Sequence, residues 1–166
     1  MKLVALSLGS NIDRESNIRY AIKEIERRYG AVDVSPVYET SAVGFDGPPF
    51  YNLVAGIRTD HELPRIIESL REIESGAGRV RGPKTFDSRV LDIDVILYGD
   101  ENWRDRGINV PRDEIERYAY VLKPLADLYP DLIHPLLDIT IADMWRQFDV
   151  RDQTLFLAEF PLVEAD

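Results

Sequence analysis

The most apolar stretch of the chain, residues 90–98, contains two aspartates, Asp92 and Asp94. Its Val, Ile and Leu residues predict a buried β-strand, an environment in which aspartate is disfavoured. Because side chains alternate across a strand, the two carboxylates should share one face, starting about 6.6 Å apart along the backbone. The opposite face is expected to carry the apolar residues Leu91, Ile93, Val95 and Leu97.

Two carboxylates at that separation could hold one divalent cation or a pair of them. Since unpaired anions in an apolar strand are costly, something cationic should face Asp92 and Asp94. An arginine at a solvated strand face is the alternative to a metal. The chain has no Cys, and His61 and His134 are its only histidines, so thiolate and His-rich sites are excluded. Any metal should therefore be hard and oxygen-ligated, Mg²⁺ before Zn²⁺.

The net charge of −10 argues against general binding to nucleic acid or to acidic membranes, because phosphate would be repelled. No apolar run approaches membrane-spanning length, and the N-terminal residues do not have the pattern of a signal peptide. We therefore expect a cytoplasmic protein whose partners are small molecules, not nucleic acid or membrane.

Strand and helix periodicities alternate along residues 2–98 in the order strand, helix, strand, strand, helix, strand. This order predicts one α+β domain over residues 1–166, a ferredoxin-like βαββαβ sandwich with helices on one sheet face and C-terminal additions. Gly76 is expected to end the second helix. The predicted strands are residues 2–8, 31–40, 51–59 and 90–98, and the predicted helices are residues 13–29 and 62–74.

The C-terminal additions comprise four predicted elements. They are a short strand at residues 108–110, helices at 118–128 and 141–148, and an apolar strand at 154–160. The final strand could pair within one chain or between two chains. The expected assembly is accordingly a monomer or a weak homodimer.

A basic segment directly precedes the two aspartates, although the protein as a whole is acidic. Arg79, Arg81, Lys84 and Arg89 fall within eleven residues that also contain Gly and Pro. Guanidinium groups bind phosphate oxygens in pairs, so such a loop could close over a polyphosphate. Alternatively, Arg89 pairs with one of the aspartates and the other cations are solvated. The sequence contains neither a P-loop nor a Rossmann glycine pattern.

Several short motifs, in collinear order over roughly residues 2–135, together resemble one enzyme family. They are Leu8-Gly9-Ser10-Asn11, residues 35–40, 50–54, 78–81 and 89–94, Val110-Pro111, and residues 120–125. The chain resembles 6-hydroxymethyl-7,8-dihydropterin pyrophosphokinases. Members of that family transfer the β,γ-diphosphate of ATP to the hydroxymethyl group of a pterin in folate biosynthesis and release AMP. Their fold is ferredoxin-like with additions, which agrees with the predicted order of elements.

The resemblance implies a metal and nucleotide site. Asp92 and Asp94 would hold two Mg²⁺ ions that bridge the phosphates of ATP, the co-substrate. These two residues, with Arg79 and Arg89, would form the catalytic set. The residues implied to line the nucleotide are Glu74, Arg79, Arg81, Arg89, Val95, Asn109 and Arg112.

The resemblance also implies a pterin site. Phe50 and Tyr120 would stack on either side of the pterin ring, although ordinary core packing is the alternative role for these two rings. Asn52 would hydrogen-bond the pterin's amide edge, or else be a turn or strand-edge residue whose amide is satisfied by backbone. Main-chain groups at Thr40 and Val43 would complete the recognition.

The chain departs from the family's usual residues at Gly82, Phe86, Asp87-Ser88, Arg112 and Tyr118. The family usually has a basic residue, Trp, Gly-Pro, His and Arg at these positions, respectively. Arg112 can still contact a phosphate but, unlike His, does not titrate near neutral pH. The departures are expected to affect nucleotide affinity and loop closure more than the acid pair or the pterin pocket.

In the implied reaction, the pterin hydroxyl attacks the β-phosphorus in line and AMP leaves on the far side, with Arg79 and Arg89 steadying the diphosphate. Loops at residues 41–49 and 78–88 would close to exclude water. Two other classes remain open. One is a different Mg²⁺-dependent nucleotide enzyme that uses the same acid pair, and the other is an inactive ferredoxin-like binding paralogue.

Overall fold

Strands and helices alternate through the part of the chain that the computed structural model describes, residues 1–41, 47–77 and 90–160. The strands are β1 (Lys2–Ser10), β2 (Asp33–Val34), β3 (Tyr38–Thr40), β4 (Phe50–Thr59), β5 (Asp92–Tyr98) and β6 (Phe156–Leu157). The α-helices are α1 (Arg14–Tyr29), α2 (Leu63–Ala77), α3 (Glu114–Arg117), α4 (Ala119–Leu128) and α5 (Ile141–Gln147). A 3₁₀-helix spans Arg104–Arg106.

The strands form one sheet in the order β5-β1-β4-β3-β6, with β2 also paired to β4. Every described pairing is antiparallel. Since β1 and β4 are the central strands, both sides of these strands are hydrogen-bonded within the sheet. The predicted α+β class and the βαββαβ order are confirmed, with the second strand in two pieces.

Two apolar clusters cover opposite faces of this sheet. On the first face, α1 and α2 bury the apolar stripes that their sequences predict, against alternate residues of β1, β4 and β5. On the second face, α4 and α5 bury a smaller cluster around Ala5, Val54 and Ile96. The C-terminal additions therefore cover only part of the second face, beside a region of polar residues.

The predicted strand at residues 31–40 is wrong as one continuous element. β2 and β3 are separated by Ser35, Pro36 and Val37, and proline has no N–H to donate to a ladder. Ser35 partly restores the pairing, because its N–H donates to the Val54 carbonyl and its hydroxyl accepts from the Val54 N–H, each at 2.9 Å.

Gly76 does not end α2, which continues to Ala77. The glycine instead makes room for Tyr20, whose hydroxyl oxygen occupies the space that a side chain at Gly76 would need. That hydroxyl donates to the Ile73 carbonyl at 3.1 Å. A close approach between helices therefore explains this glycine, which the sequence alone presented as a stop signal.

Residues 108–110 do not form the predicted strand. Their hydrogen bonds go to a local turn: Ile108 N–H donates to the Trp103 carbonyl at 3.2 Å, and Trp103 N–H donates to the Val110 carbonyl at 2.7 Å. The Val110–Pro111 peptide bond that follows is cis. This turn runs beside α2 and β5 and brings Arg112 to the sheet.

The predicted final strand is confirmed only at β6, which is two residues long. It pairs with β3 of the same chain, which corresponds to the first of the two pairings left open by the sequence. Within the described residues, no helix is both long enough and apolar enough to cross a membrane.

The expected alternation along β5 is interrupted near its end. In the pairing with β1, the register passes from Leu97 to Val95 without using Ile96, which marks a β-bulge. Ile93 and Val95 pack against the α1 and α2 cluster, whereas Ile96 and Leu97 both belong to the opposite cluster. The prediction that Leu97 shares the face of Ile93 and Val95 is therefore wrong.

Candidate active site

A polar row crosses the sheet face that points away from α1 and α2. Asp92 lies opposite Gly9 of β1, Gly9 lies opposite Asn52 of β4, and Asp94 lies opposite Ser7. Directly opposed residues of an antiparallel pair point to the same face, so the two carboxylates and the Asn52 amide share it. With neighbouring strands about 4.8 Å apart, Asp92 and Asn52 begin about 10 Å apart across the sheet.

Gly9 keeps the centre of this row free of side-chain atoms. A Cβ at this position would lie 3.0 Å from Asn52 Oδ1 and 3.9 Å from Phe50 Cδ1. Any larger residue would therefore crowd the Asn52 amide. The glycine leaves a flat patch of backbone between the acid pair and the amide, against which a planar ligand can lie.

Arg112, a described cation, lies near the acid pair. One of its terminal nitrogens lies 4.0 Å from Asp94 Oδ2. Its Nε donates to Glu114 Oε1 at 2.9 Å, and the same terminal nitrogen forms an ion pair with that oxygen, also at 2.9 Å. Burial acts to lower the pKa of Arg112, but the charges of Asp94 and Glu114 outweigh it and raise the pKa. Because Glu114 holds the guanidinium, Asp94 remains 38% exposed and available to a ligand.

The donor set around Asp94 suits magnesium. No group of three or more potential metal-ligating side chains occurs within residues 1–41, 47–77 and 90–160. Mg²⁺ is commonly held by one or two carboxylates, with water and substrate phosphates completing the octahedron. Two same-face carboxylates on an accessible strand therefore fit a magnesium ion brought together with a nucleotide, but not a metal enclosed by protein ligands alone.

Glu74 of α2 fixes the strand between the two aspartates. Its Oε2 accepts the Ile93 N–H at 2.8 Å, a donor that faces outward because β5 is an edge strand. Burial raises the pKa of Glu74, the Ile93 N–H lowers it, and the charges of Asp92 and Asp94 raise it further. Sequence reasoning assigned Glu74 to the nucleotide side but missed this hydrogen bond, which depends on the docking of α2.

A groove of about 410 Å³ opens beside Asp94, a volume within the usual range for small-molecule sites. Three residues predicted for the nucleotide line it, namely Val95, Asn109 and Arg112. Sequence reasoning missed its other walls, which come from the outer side of α2 and from the turn at residues 107–110. They include Pro64, Ile67, Leu70, Arg71, Gly107, Ile108 and Val110.

On the other side of the row, Asn52 is held by a side chain. The Asn52 amide is buried, and its Nδ2 donates to Thr40 Oγ1 at 2.7 Å. The alternative that backbone groups satisfy the Asn52 amide is therefore wrong for its Nδ2, which binds a side chain. Thr40 is predicted to contribute main-chain groups to pterin binding. In the structure its hydroxyl orients the Asn52 amide and leaves Oδ1 above Gly9.

Two residues that the sequence analysis missed hold the backbone leading into Phe50. Asn11 Nδ2 donates to the Pro48 carbonyl at 3.2 Å, and Arg14 donates to the Pro49 carbonyl at 3.1 Å. Asn11 lies in the turn between β1 and α1, and Arg14 is the first residue of α1. The sequence signal for them is that Asn11 ends the Leu8-Gly9-Ser10-Asn11 motif and Arg14 follows it closely, which does not reveal contacts more than thirty residues away.

Tyr120 is half-buried in the first turn of α4, with its ring 5.1 Å from that of Tyr118 and tilted by 30°. Burial raises the pKa of Tyr120, and the charges of Glu114 and Asp94 add to the effect. The phenol is therefore protonated at neutral pH. Val43, Arg79, Arg81 and Arg89, and the departures at Gly82, Phe86 and Asp87-Ser88, lie outside the described residues.

The fold and this site define a class of protein. It is a ferredoxin-like α+β protein whose open sheet face carries a carboxylate pair between a groove of nucleoside size and a surface bearing an amide and aromatic rings. Comparison with known proteins identifies the family. Residues 5–130 match the family described as 7,8-dihydro-6-hydroxymethylpterin-pyrophosphokinase (HPPK), and the chain belongs to this family.

Relatives of known name agree with this assignment. The 2-amino-4-hydroxy-6-hydroxymethyldihydropteridine pyrophosphokinase of Aquifex aeolicus is 34% identical over 138 residues, covering 82% of this chain and 86% of that protein. The protein of the same name from Pseudomonas aeruginosa is 36% identical over 136 residues, covering 80% and 83%. Folic acid synthesis protein fol1 of Schizosaccharomyces pombe is 34% identical over 142 residues, but the chain spans only 19% of it.

Solved structures support the fold. The HPPK-DHPS protein of Plasmodium falciparum superimposes with a TM-score of 0.66 at 14% sequence identity, covering 89% of this chain and 43% of that one. The chain therefore spans less than half of this structural relative. At this identity the similarity establishes the ferredoxin-like fold with its additions, while the family assignment comes from the sequence relatives.

Proposed function

We propose that the chain transfers the β,γ-diphosphate of ATP to the hydroxymethyl group of 6-hydroxymethyl-7,8-dihydropterin, releasing AMP, in folate biosynthesis. The observation that carries this proposal is the row formed by Asp92, Gly9 and Asn52. Asp92 and its same-face neighbour Asp94 supply carboxylates for a metal at one end of this row, and Asn52 supplies an oriented amide at the other. A groove for the second substrate opens next to Asp94.

On the pterin side, the flat backbone at Gly9 forms the floor. Asn52, oriented by Thr40, recognises the polar edge of the ring. Phe50 and Tyr120 supply the aromatic faces, with main-chain groups at Val43 completing the contacts. The span of about 10 Å between Asn52 and Asp92 is long enough for a bicyclic ring and its hydroxymethyl arm. This orientation directs the hydroxyl of the arm towards the acid pair.

On the nucleotide side, the adenosine occupies the groove lined by Val95, Asn109 and Arg112. Glu74 holds the backbone of Ile93, which also lines this groove. Asp92 and Asp94 would hold two Mg²⁺ ions, which would supply neutralisation of phosphate charge and alignment of the triphosphate. Arg112 lies within reach of the same phosphates. We assign Arg79, Arg81 and Arg89 to the transferred diphosphate from their sequence positions.

The pterin hydroxyl then attacks the β-phosphorus in line, and AMP leaves into the groove. Catalysis by positioning and charge neutralisation is sufficient, because the loose transition states of phosphoryl transfer do not require a strong base. The high pKa of Tyr120 keeps its phenol neutral, so it acts as a stacking surface and not as the base. We place the protein in the cytoplasm as a monomer or weak homodimer, without nucleic-acid or membrane partners.

Product analysis tests this function. Purified protein is incubated with ATP, Mg²⁺ and 6-hydroxymethyl-7,8-dihydropterin, and nucleotides and pterins are separated by chromatography. We expect AMP and diphosphorylated pterin in equal amounts, with neither formed when the pterin is omitted. Formation of ADP, or of AMP without a modified pterin, would assign the site to another nucleotide enzyme. Metal-dependent ATP binding without turnover would indicate a binding paralogue.

A further inference from the structure

The described residues that follow α5 form a tail, residues 148–160, which lies beyond the 5–130 stretch that matches the family. This tail contacts both walls of the proposed pterin site. At one point it meets the junction between α3 and α4, and at another it pairs with β3. The first of these contacts is made by one side chain, Gln153.

Gln153 binds the backbone on both sides of Tyr118. Its Oε1 accepts the Ala119 N–H at 2.7 Å, and its Nε2 donates to the Arg117 carbonyl at 3.0 Å. Tyr118 is the extended residue between the two helices, with φ −123° and ψ 124°, and its own side chain makes no capping hydrogen bond to α4. The Ala119 N–H is one of the helix-end donors that lack an intrahelical partner. Gln153 therefore caps α4 from a distant part of the chain.

The residue that follows this capped position is Tyr120. Its backbone direction is set by the start of α4, and its ring packs against that of Tyr118 at 5.1 Å. The start of α4 and the Tyr118 ring thus set the plane of the Tyr120 ring, and both belong to the α3–α4 junction that Gln153 holds. A change in the junction would tilt the ring relative to the flat surface at Gly9.

The tail also holds the opposite wall through backbone contacts. Leu157 and Phe156 pair with Tyr38 and Glu39 of β3, and the Ala158 N–H donates to the Val37 carbonyl at 2.9 Å. The next residue of β3 is Thr40, which orients Asn52. Gln153 is therefore attached to a segment that is anchored at both ends, so its amide is presented to the junction in a fixed place.

We propose that Gln153 is a positioning residue for pterin binding, acting through Tyr120. The inference rests on the proposed function, since it requires Tyr120 to stack on the pterin. Gln153 touches neither substrate. It raises pterin affinity by holding the Tyr120 ring in the stacking plane before the pterin arrives, so that less ordering is left to binding.

Binding measurements separate this role from general stabilisation. Dissociation constants are determined by calorimetry for a non-hydrolysable ATP analogue with Mg²⁺, and then for the pterin in its presence. For Gln153→Ala we expect the pterin constant to rise about tenfold, while the constant for the analogue changes less than about twofold. Gln153→Glu retains the acceptor for Ala119 but has no hydrogen for the Arg117 carbonyl, so an intermediate pterin constant is expected. Gln147→Ala, an exposed glutamine of α5, should match wild type.

A double-mutant cycle tests whether Gln153 acts through Tyr120. In a Tyr120→Ala background the ring is gone, so adding Gln153→Ala should change the pterin constant less than about twofold. Full additivity, an unchanged pterin constant in Gln153→Ala, or equal weakening of both ligands would each overturn the proposal. If the wild-type protein binds the analogue but no pterin, the proposed function itself fails and the inference fails with it. That result is recognised before any variant is measured.

Discussion

The two faces of the sheet are built from the same strands, but one forms the larger apolar core and the other carries the candidate active site. On the face covered by α1 and α2, Leu6, Leu8 and Leu53 are fully buried and contact apolar neighbours. The other face also has small or polar residues, such as Gly9 and Asn52, and α4 and α5 cover only part of it. Because side chains alternate along a strand, a residue that stabilises the fold and a residue that contributes to the site can be direct neighbours in sequence. A substitution on one face should change folding, and one on the other should change binding or turnover.

The strongest test of this separation is Asp94→Asn. The amide keeps the size of the side chain but loses the charge that a metal requires. We expect kcat/KM for diphosphate transfer to fall at least about 1,000-fold, about 4 kcal/mol of transition-state stabilisation. The free energy of unfolding should change by less than about 0.5 kcal/mol, because Arg112 is 4.0 Å away and already bound to Glu114.

Asp100→Asn is the matched control, since this exposed residue lies just beyond the end of β5. Its kinetics should equal those of the wild type. Near-normal turnover of Asp94→Asn would remove Asp94 from the metal site. A large loss of stability in that variant would show that the two faces are not separable.

Leu6→Ala should give the reverse result. Leu6 precedes Ser7, the residue opposite Asp94, yet its side chain is fully buried on the covered face. The cavity should lower the free energy of unfolding by about 3 kcal/mol, measured by urea denaturation. At temperatures where the variant is folded, kcat/KM should stay within about twofold of wild type, because the site-facing backbone is held by both neighbouring strands.

Leu137→Ala serves as the control, because this leucine is 44% exposed and its loss should cost less than about 0.5 kcal/mol. If Leu6→Ala lost as much activity as Asp94→Asn while still folded, packing on the covered face would be setting the site geometry directly.

Sequence patterns predicted what depends on neighbours along the chain. Alternation around Asp92 and Asp94 was enough to place both on one face, and helical spacing was enough to find α1 and α2. The patterns failed where a distant residue decides the outcome. Gly76 was interpreted as a helix stop because the tyrosine that needs its space is over fifty residues away. Leu97 was assigned to the wrong face because a bulge depends on the register with β1.

The same limit applies to the site. Family motifs supplied the residues proposed to touch substrates, including Asn52 and Arg112. They did not supply the contacts that hold those residues, such as Thr40 Oγ1 on Asn52 or Glu114 on Arg112. Such contacts form between segments that are brought together only by the sheet, or between side chains whose rotamers the sequence does not specify.

Glu114→Gln should weaken Mg²⁺ binding on the open face of the sheet. Glu114 accepts a hydrogen bond from Arg112 Nε and forms an ion pair with its terminal nitrogen, and so keeps that cation from pairing closely with Asp94. A neutral amide holds the guanidinium less strongly, so Arg112 should move towards Asp94 and compete with Mg²⁺. We expect the half-saturating Mg²⁺ concentration to rise about fivefold, about 1 kcal/mol, with little change in kcat at saturating metal.

Glu116→Gln carries the same charge change within α3 but lies next to Arg104, not Arg112. It should leave the Mg²⁺ dependence unchanged. An equal effect in both variants would mean that the overall charge of α3, and not the Glu114 contact, sets metal affinity. Mn²⁺ binding followed by electron paramagnetic resonance gives the same comparison without turnover.

The smallest effect is expected for Glu74, a residue of α2 that binds the edge strand β5 at Ile93. Here the expected change is in the pH dependence of the free energy of unfolding. Burial and the neighbouring aspartates raise the pKa of this carboxyl in the folded protein. As pH falls from neutral, the folded state therefore takes up a proton before the unfolded chain does, and this uptake stabilises it. Glu74→Gln keeps an acceptor for the Ile93 N–H but has no charge to lose. The variant should accordingly be at least as stable as wild type at pH 7, and wild type should gain on it as pH falls towards the ordinary carboxyl pKa of about 4.3. Urea denaturation of both proteins across this pH range measures the difference. A stability difference that does not vary with pH would mean that the hydrogen bond to Ile93, and not the charge, determines what Glu74 contributes.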